Sequence, residues 1–455
     1  MFKKIEIWIL YLVLLLGIPV TISFGVLVRQ ELNGSTKLGR ISKTALFFAE
    51  IPVNIKKILQ AHAISDLQVP DRFPLLDGFN GTPNSNQSYL LLSRYDGDLK
   101  EGIVELVDLM NFKVLHTWNP DIDKFNKSVD KNDEFKFLDR DKNNSRIRLN
   151  HPILLNDGGL VFTNHSPLIK IDSCSNLIFQ NTHDLFDHSI EKDIAGNIWV
   201  ASHMYPQSLP IRKVGRNIPA EFGYFDDGIV KLSPDGEILF ERSVSQIFID
   251  NGLEYLLFAI GDISFKLDQI HLNDIQPVDF DGEFWKKGDL FLSLRHQSMV
   301  LLYRPSTNQI LWKGTGPFFY QHDVDILNDH KISVFNNNFK VFMDGNVVDG
   351  NNEVIIYDFK KNEYTSYLSD SLIKNDVRST TEGGSQILPN GDLFVEETNY
   401  GRTLYFKSDG SLRWTNVNRA DNSKVYRFGW SRILYNKEDI QNVSNFLVSR
   451  KKCND

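Results

Sequence analysis

Asp235-Gly-Glu-Ile-Leu-Phe240 decides the reading of this chain: a tight-turn pair, then apolar residues that alternate up to an aromatic. An Asp-Gly pair before a period-two apolar run is the signature of a hairpin turn entering a strand. The same unit occurs at Asn111–Trp118, Ser175–Phe179, Thr307–Trp312, Lys361–Tyr364 and Asp409–Trp414, which makes six copies. A second unit interleaves with the first, at Asp157–Phe162, Ala195–Val200, Lys287–Leu292, Asp329–Val334 and Asn390–Val395. Two kinds of hairpin turn that alternate around a repeat are what four-stranded blades require, one near the axis and one near the rim. The spacing predicts an all-β fold, a six-bladed β-propeller, from about Tyr89 onward.

The flanks differ. Ile5–Val28 is nearly all apolar, interrupted only by Glu6, and is long enough to span a bilayer as a helix. A cleaved signal peptide is the competing reading, but the apolar run exceeds the ~7–15 residues usual for one. Lys3 and Lys4 precede the run, and Arg29, Lys37, Arg40 and Lys43 follow it, so charge alone does not orient it. Ser42–His62 reads as an amphipathic helix broken or kinked at Pro52, either a membrane-surface segment or a spacer packed on the main domain. The expected division is an anchor over 1–28 (helix 5–28), a linker with the amphipathic helix over 29–75, a propeller over 76–435 and a tail over 436–455. The net charge of −8 gives no reason to expect nucleic acid as a partner. With two cysteines, Cys174 and Cys453, a disulfide scaffold and a cysteine-rich zinc site are both excluded. One disulfide between them is possible outside the cytosol, although Cys453 falls in the expected tail.

Several histidines share one place in the repeat, ahead of the inner strand that leads to the second unit's turn. His151 is seven residues before Gly158, His188 eight before Gly196, and His322 seven before Asp329. His271 opens a similar strand with a longer hairpin, and Arg295 lies on the strand that follows. Taken singly, each is an ordinary hydrogen-bonded strand terminus, and Arg295 an ordinary salt-bridge partner. Taken together, they are expected to converge at the mouth of an axial channel, with Arg295 able to clamp an oxyanion.

His271-Leu-Asn, Ser293-Leu-Arg-His-Gln297 and Gln321-His-Asp323, in that order among the repeats, resemble the bacterial arylsulfotransferases. His188 and Glu382-Gly-Gly384 before Pro389-Asn-Gly391 fit the same pattern, and the resemblance spans roughly Tyr89–Trp430. It implies nucleotide-independent transfer of a sulfuryl group from a phenolic sulfate ester to a phenol. His322 would be the nucleophile, passing through a sulfohistidine, and His188, His271 and Arg295 would line the sulfuryl site. His151, His296 and Glu382 are further candidates for substrate contact. No metal or other cofactor is implied, the partners are small aromatic sulfates and phenols, and the propeller is expected outside the cytoplasm. The chain departs from the family in lacking a β-rich N-terminal domain, which leaves dimerisation open, and in carrying Asp279–Trp285, a candidate for altering acceptor choice. Two other classes remain. One is a non-catalytic propeller that binds a partner at the same mouth. The other is a metal-dependent hydrolase using the histidines with Glu382, Glu396 or Glu397, although no His-x-His pair marks a metal site.

Overall fold

The computed structural model describes residues 6–32, 38–61, 67–132, 134–210, 224–259, 267–342, 345–449 and 453. From Leu67 on it is mostly β, in a propeller-like arrangement of antiparallel sheets. Leu272–Pro277, Leu290–Leu294, Met299–Arg304 and Gln309–Gly314 form one four-stranded sheet, and Val324–Ile326, Lys331–Asn336, Glu353–Asp358 and Glu363–Tyr367 another. Within a seven-stranded sheet, the 16-residue strand Leu177–Lys192 serves two neighbours. Its first part pairs with Ser166–Ile171 as an outer strand, and its second part with Ile198–His203 as an inner one. Every copy of the first repeat unit forms the turn between the last two strands of a four-strand group, and every copy of the second joins the first two. Gly236, at φ 87° in one such turn, could not carry a side chain: a Cβ would lie 2.8 Å from the Phe179 ring.

Both ends of the chain close the ring. The innermost strand of the first sheet is C-terminal: Arg432–Leu434 pairs with Tyr89–Leu91. The outermost strand of the last sheet is N-terminal, Gly78–Gly81 against Trp414–Val417. Between neighbouring sheets, the inner-edge amides of one strand meet side-chain acceptors of the next. Ile190 N–H donates to His151 Nδ1 (3.0 Å), Ile275 N–H to Ser189 Oγ (3.0 Å) and Val324 N–H to Asp274 Oδ2 (2.9 Å). Ser385 N–H donates to Asp323 Oδ2 (2.8 Å), and Ile433 N–H to Gln386 Oε1 (2.9 Å). An inner strand has an unpaired ladder edge, and these polar residues satisfy it where water is excluded. The sheets otherwise meet through apolar faces, such as Leu292, Leu301 and Ile229 on one side and Val334, Ile355 and Phe291 on the other.

Two of the sequence expectations fail here. The residues after 436 are no loose tail: Lys437–Ser449 is a helix whose Val443 and Phe446 are buried with Trp118, Ile169 and Leu160. This docking carries the chain end back to the turn at Cys174, and Cys174 and Cys453 are disulfide-bonded, 279 residues apart. Closing so long a loop is expected to contribute about 2–4 kcal/mol, so a Cys453→Ser variant should melt earlier than wild type in non-reducing buffer and no earlier in reductant. The expected linker also ends early, because Gln68–Val69 pairs with Val425–Tyr426 and Arg72 bridges Asp376 and Glu397.

The N-terminal helix spans Ile7–Leu32, and Ile7–Glu31 is long and apolar enough to cross a membrane, as a signal sequence also is. A second helix, Arg40–Ala61, continues through Pro52, so of the expected break or kink the break does not occur; a proline inside a helix removes one hydrogen bond but need not end it. His62 lies outside the described residues. Ser42 Oγ donates to Glu31 Oε2 (2.5 Å), joining the two helices at their base.

Candidate active site

The residues that begin or precede the inner strands adopt the left-handed region: His188 at φ 61°, His271 at 57°, Tyr320 at 55°, Trp430 at 62° and His151 at 45°. A non-glycine residue there costs on the order of 1–3 kcal/mol, and such strain concentrates where geometry serves function.

His188, His271 and His296 form a continuous row, with ring centroids 4.8 Å and 4.5 Å apart. Asp268, three residues before His271, accepts from His271 Nδ1 at 2.6 Å, and its backbone carbonyl accepts from His296 Nδ1 at 2.9 Å. Burial pushes the Asp268 carboxyl up, but the hydrogen bonds from His271 and His296 outweigh it and hold the group well below the usual carboxylate range. Burial likewise drives His271 down to about 4 against the pull of Asp268, so its ring is neutral at pH 7. Arg295 Nη1 lies 2.8 Å from His296 Nε2. A guanidinium can only donate, so His296 accepts at Nε2 and carries its proton on Nδ1.

Arg295 stands over the Tyr320 ring, 5.1 Å from its centroid. Its Nε is buried without a hydrogen-bond partner, and Asp268 and Glu382 act on it through charge alone. Burial lowers its pKa, as expected of a cation that lacks a counter-ion.

His322 is 1% exposed. Its Nδ1 lies 2.6 Å from Asn337 Oδ1 and 3.2 Å from the Tyr320 carbonyl. Asn337 Nδ2 is committed to the carbonyls of Ser379 and Glu382, which fixes Oδ1 as the acceptor. His322 therefore carries its proton on Nδ1 and a lone pair on Nε2, and among the described residues Nε2 has no hydrogen-bond partner. Burial, then the charge of Arg295, hold His322 well below the usual imidazole range, with smaller effects from His271 and His188.

Of the residues singled out from sequence, the structure thus brings His188, His271, Arg295, His296 and His322 into one electrostatic neighbourhood. Glu382 borders it, ion-paired to Arg148 (2.6 Å) and Arg427 (3.3 Å). Burial raises the Glu382 carboxyl, and the two arginines more than reverse that. It is a carboxylate paired with two arginines. His151 is placed outside this row. Its Nδ1 is used by Ile190, its ring meets Trp430 edge-on at 4.9 Å, and it lines a separate cavity of about 480 Å³ with Glu191, Asp323, Asp325 and Arg432. Trp430 stands between it and His322, 6.0 Å from the latter. The Asp279–Trp285 stretch lies beyond the far end of the strand that His271 begins, and Trp285 is a buried core ring against Phe291 and Phe359. That position removes it from the histidine row.

The carboxylates offered for a metal are committed as well. Glu396 accepts from the Trp430 and Ser431 amides and the Thr398 hydroxyl, and Glu397 pairs with Arg402 and Arg72. Asp268, His271 and His296 do offer ligand atoms within 4.8 Å of one another. Those atoms already share imidazole protons, however, and the Arg295 guanidinium opposes a second cation beside them.

Sequence reading missed Asp268, Asp187, Asn337 and Tyr320. Asp187 and Asp268 had a readable signal, an acid one and three residues ahead of a candidate histidine. Asn337 had none, since it reaches His322 only through the strand pairing.

The fold is thus a propeller-like ring with a cluster of imidazoles and one arginine near the starts of its inner strands. The family model for arylsulfotransferase (ASST) matches residues 151–419, more than half of the chain. The chain belongs to the arylsulfotransferase family, and it is a sulfotransferase. No curated protein matches it. Among solved structures, it is similar to a protein of unknown function from Bacteroides caccae (12% identity, 76% of this chain and 99% of that one, TM-score 0.45). It is also similar to virginiamycin B lyase from Staphylococcus aureus (9%, 60% and 72%, TM-score 0.34) and to the Dos1 propeller (10%, 77% and 74%, TM-score 0.34).

Proposed function

We propose that this chain moves a sulfuryl group from a phenolic sulfate ester to a phenolic acceptor through a sulfohistidine at His322. The observation that carries the reading is the pairing of a neutral His322, its Nε2 unengaged among the described residues, with the unpaired guanidinium of Arg295. In the first half-reaction, Nε2 attacks sulfur, the sulfur–oxygen ester bond breaks, and the phenolate departs and takes its proton from solvent. In the second half, the acceptor's hydroxyl gives its proton to the neighbouring His188–His271 pair, which passes it to solvent, while its oxygen attacks sulfur and the nitrogen–sulfur bond breaks. Exchange between two similar phenols is nearly thermoneutral, so no nucleotide donor is needed. Arg295 stabilises charge on the sulfuryl oxygens throughout.

Six blades form the supporting ring in this reading. What favours that count is the six rim turns, together with the division of Leu177–Lys192 between two four-strand groups. The disulfide favours an extracytoplasmic position, with Ile7–Glu31 as the anchor, because such bonds persist in oxidising compartments.

The test is an exchange assay with the purified full chain, an aryl sulfate donor and a phenolic acceptor, with no nucleotide added. Transfer of label to the acceptor is expected; its absence across a panel of donors would favour a binding module. A pH expectation follows from His322. A depressed pKa keeps the ring neutral as pH falls through the ordinary imidazole range, so donor-only labelling should keep its rate from pH 7.5 to about 5.5. An ordinary imidazole with a pKa of about 6.5 would lose about nine-tenths of its neutral form over that span.

A further inference from the structure

Beside the histidine row lies a second imidazole pair that the sulfuryl chemistry leaves unused. His165, in the turn between Leu160–Thr163 and Ser166–Ile171, and His203, at the end of Ile198–His203, have ring centroids 5.0 Å apart. The Phe225 ring completes a triangle, 4.6 Å from His203 and 6.3 Å from His165. Phe225 is 43% exposed, a large aromatic left open at the same end of the strands as His188 and His271. Asp187 joins the two groups: its Oδ2 is 3.2 Å from His188 Nδ1 and 3.5 Å from His165 Nδ1. His203 Nδ1 is buried with no hydrogen-bond partner, while its Nε2 is 3.9 Å from Asp227 Oδ1. A buried polar atom left without a partner marks a place that a ligand atom can complete.

We infer that His165, His203 and Phe225 form the aryl subsite, which holds the aromatic ring of the phenolic substrate while its oxygen points at His188. The inference rests on the sulfuryl-transfer reading and extends it by naming where the ring sits. A phenol is a flat apolar body with one polar tip. Phe225 and the two imidazoles offer ring faces and edges at the offset and T-shaped spacings aromatic groups prefer. The orphaned His203 nitrogen lies buried behind that surface. One carboxylate shared by His165 and His188 keeps the subsite and the reacting centre in fixed register, so Asp187 is a positioning residue. Because donor and acceptor are both aryl compounds used in turn, a single ring subsite serves both half-reactions.

The test reads binding apart from turnover, with 2-naphthol as a fluorescent probe and the full-length chain in detergent. Phe225 is exposed, so its replacement does not disturb the core. Phe225→Ala is expected to weaken 2-naphthol binding about tenfold, and Phe225→Tyr to keep affinity within about threefold of wild type. His322→Asn should bind 2-naphthol as wild type does. Wild-type affinity in Phe225→Ala, or no saturable binding to wild type, would overturn the subsite. If 2-naphthol binding depends on Phe225 while wild type shows no sulfuryl exchange, the subsite stands and the transfer reading falls.

Discussion

Replacing His322 with asparagine is expected to abolish sulfuryl exchange, a loss of about 10⁴-fold or more, while the fold survives. The asparagine amide can still donate to Asn337 Oδ1, so the buried hydrogen bond that His322 Nδ1 makes need not be lost. What disappears is the Nε2 lone pair, and with it the covalent route. A protein that melts like wild type yet transfers nothing is the outcome expected from steady-state assay paired with thermal denaturation. Residual exchange within about tenfold of wild type would assign the nucleophile elsewhere. His188→Asn should be milder, because His271 lies 4.8 Å away and can share its proton work.

Arg295→Ala should slow exchange about 10²–10³-fold, the usual cost of removing one oxyanion donor from a water-poor site. The effect should fall on the rate of adduct formation more than on donor affinity, because charge on the sulfuryl oxygens grows as the ester bond breaks. Arg295→Lys should recover only part of it. An ammonium keeps the charge, but it cannot donate to His296 Nε2 and to a sulfuryl oxygen in the same fixed fork. Single-turnover measurements on the three proteins check this; equal rates for Arg295→Ala and wild type would remove the guanidinium from the chemistry.

The rim turns and inner hairpins were readable because an Asp-Gly or Asn-Gly pair before a period-two run has one cheap conformation. Nearly equal offsets from equivalent turns pointed to His188 and His322 as neighbours at the starts of inner strands, while His271 opened a similar strand with a longer hairpin. The offset rule then failed at His151, where the same strand position carries the link to Ile190 rather than a place in the row. Two side chains one strand position apart face opposite ways, and a small register shift decides between them. The C-terminal helix was missed, although Ile440, Val443, Phe446 and Leu447 have helical spacing, and its docking explains why Cys453 reaches Cys174. Trp285 looked like an accessory surface because aromatic and acidic residues alternate there, yet its ring fills the core beside Phe359. Asn337 became a partner only through folding, arriving from the end of a neighbouring strand, whereas Asp268 stood three residues ahead of His271 in the sequence.

The most direct measurement is a donor-only reaction, quenched by denaturation and followed by peptide mapping of the full chain. The account predicts a sulfuryl adduct on the peptide that contains His322, lost in His322→Asn and discharged when a phenol is added before the quench. An adduct on another residue, or exchange that proceeds with no adduct on any peptide, would contradict it.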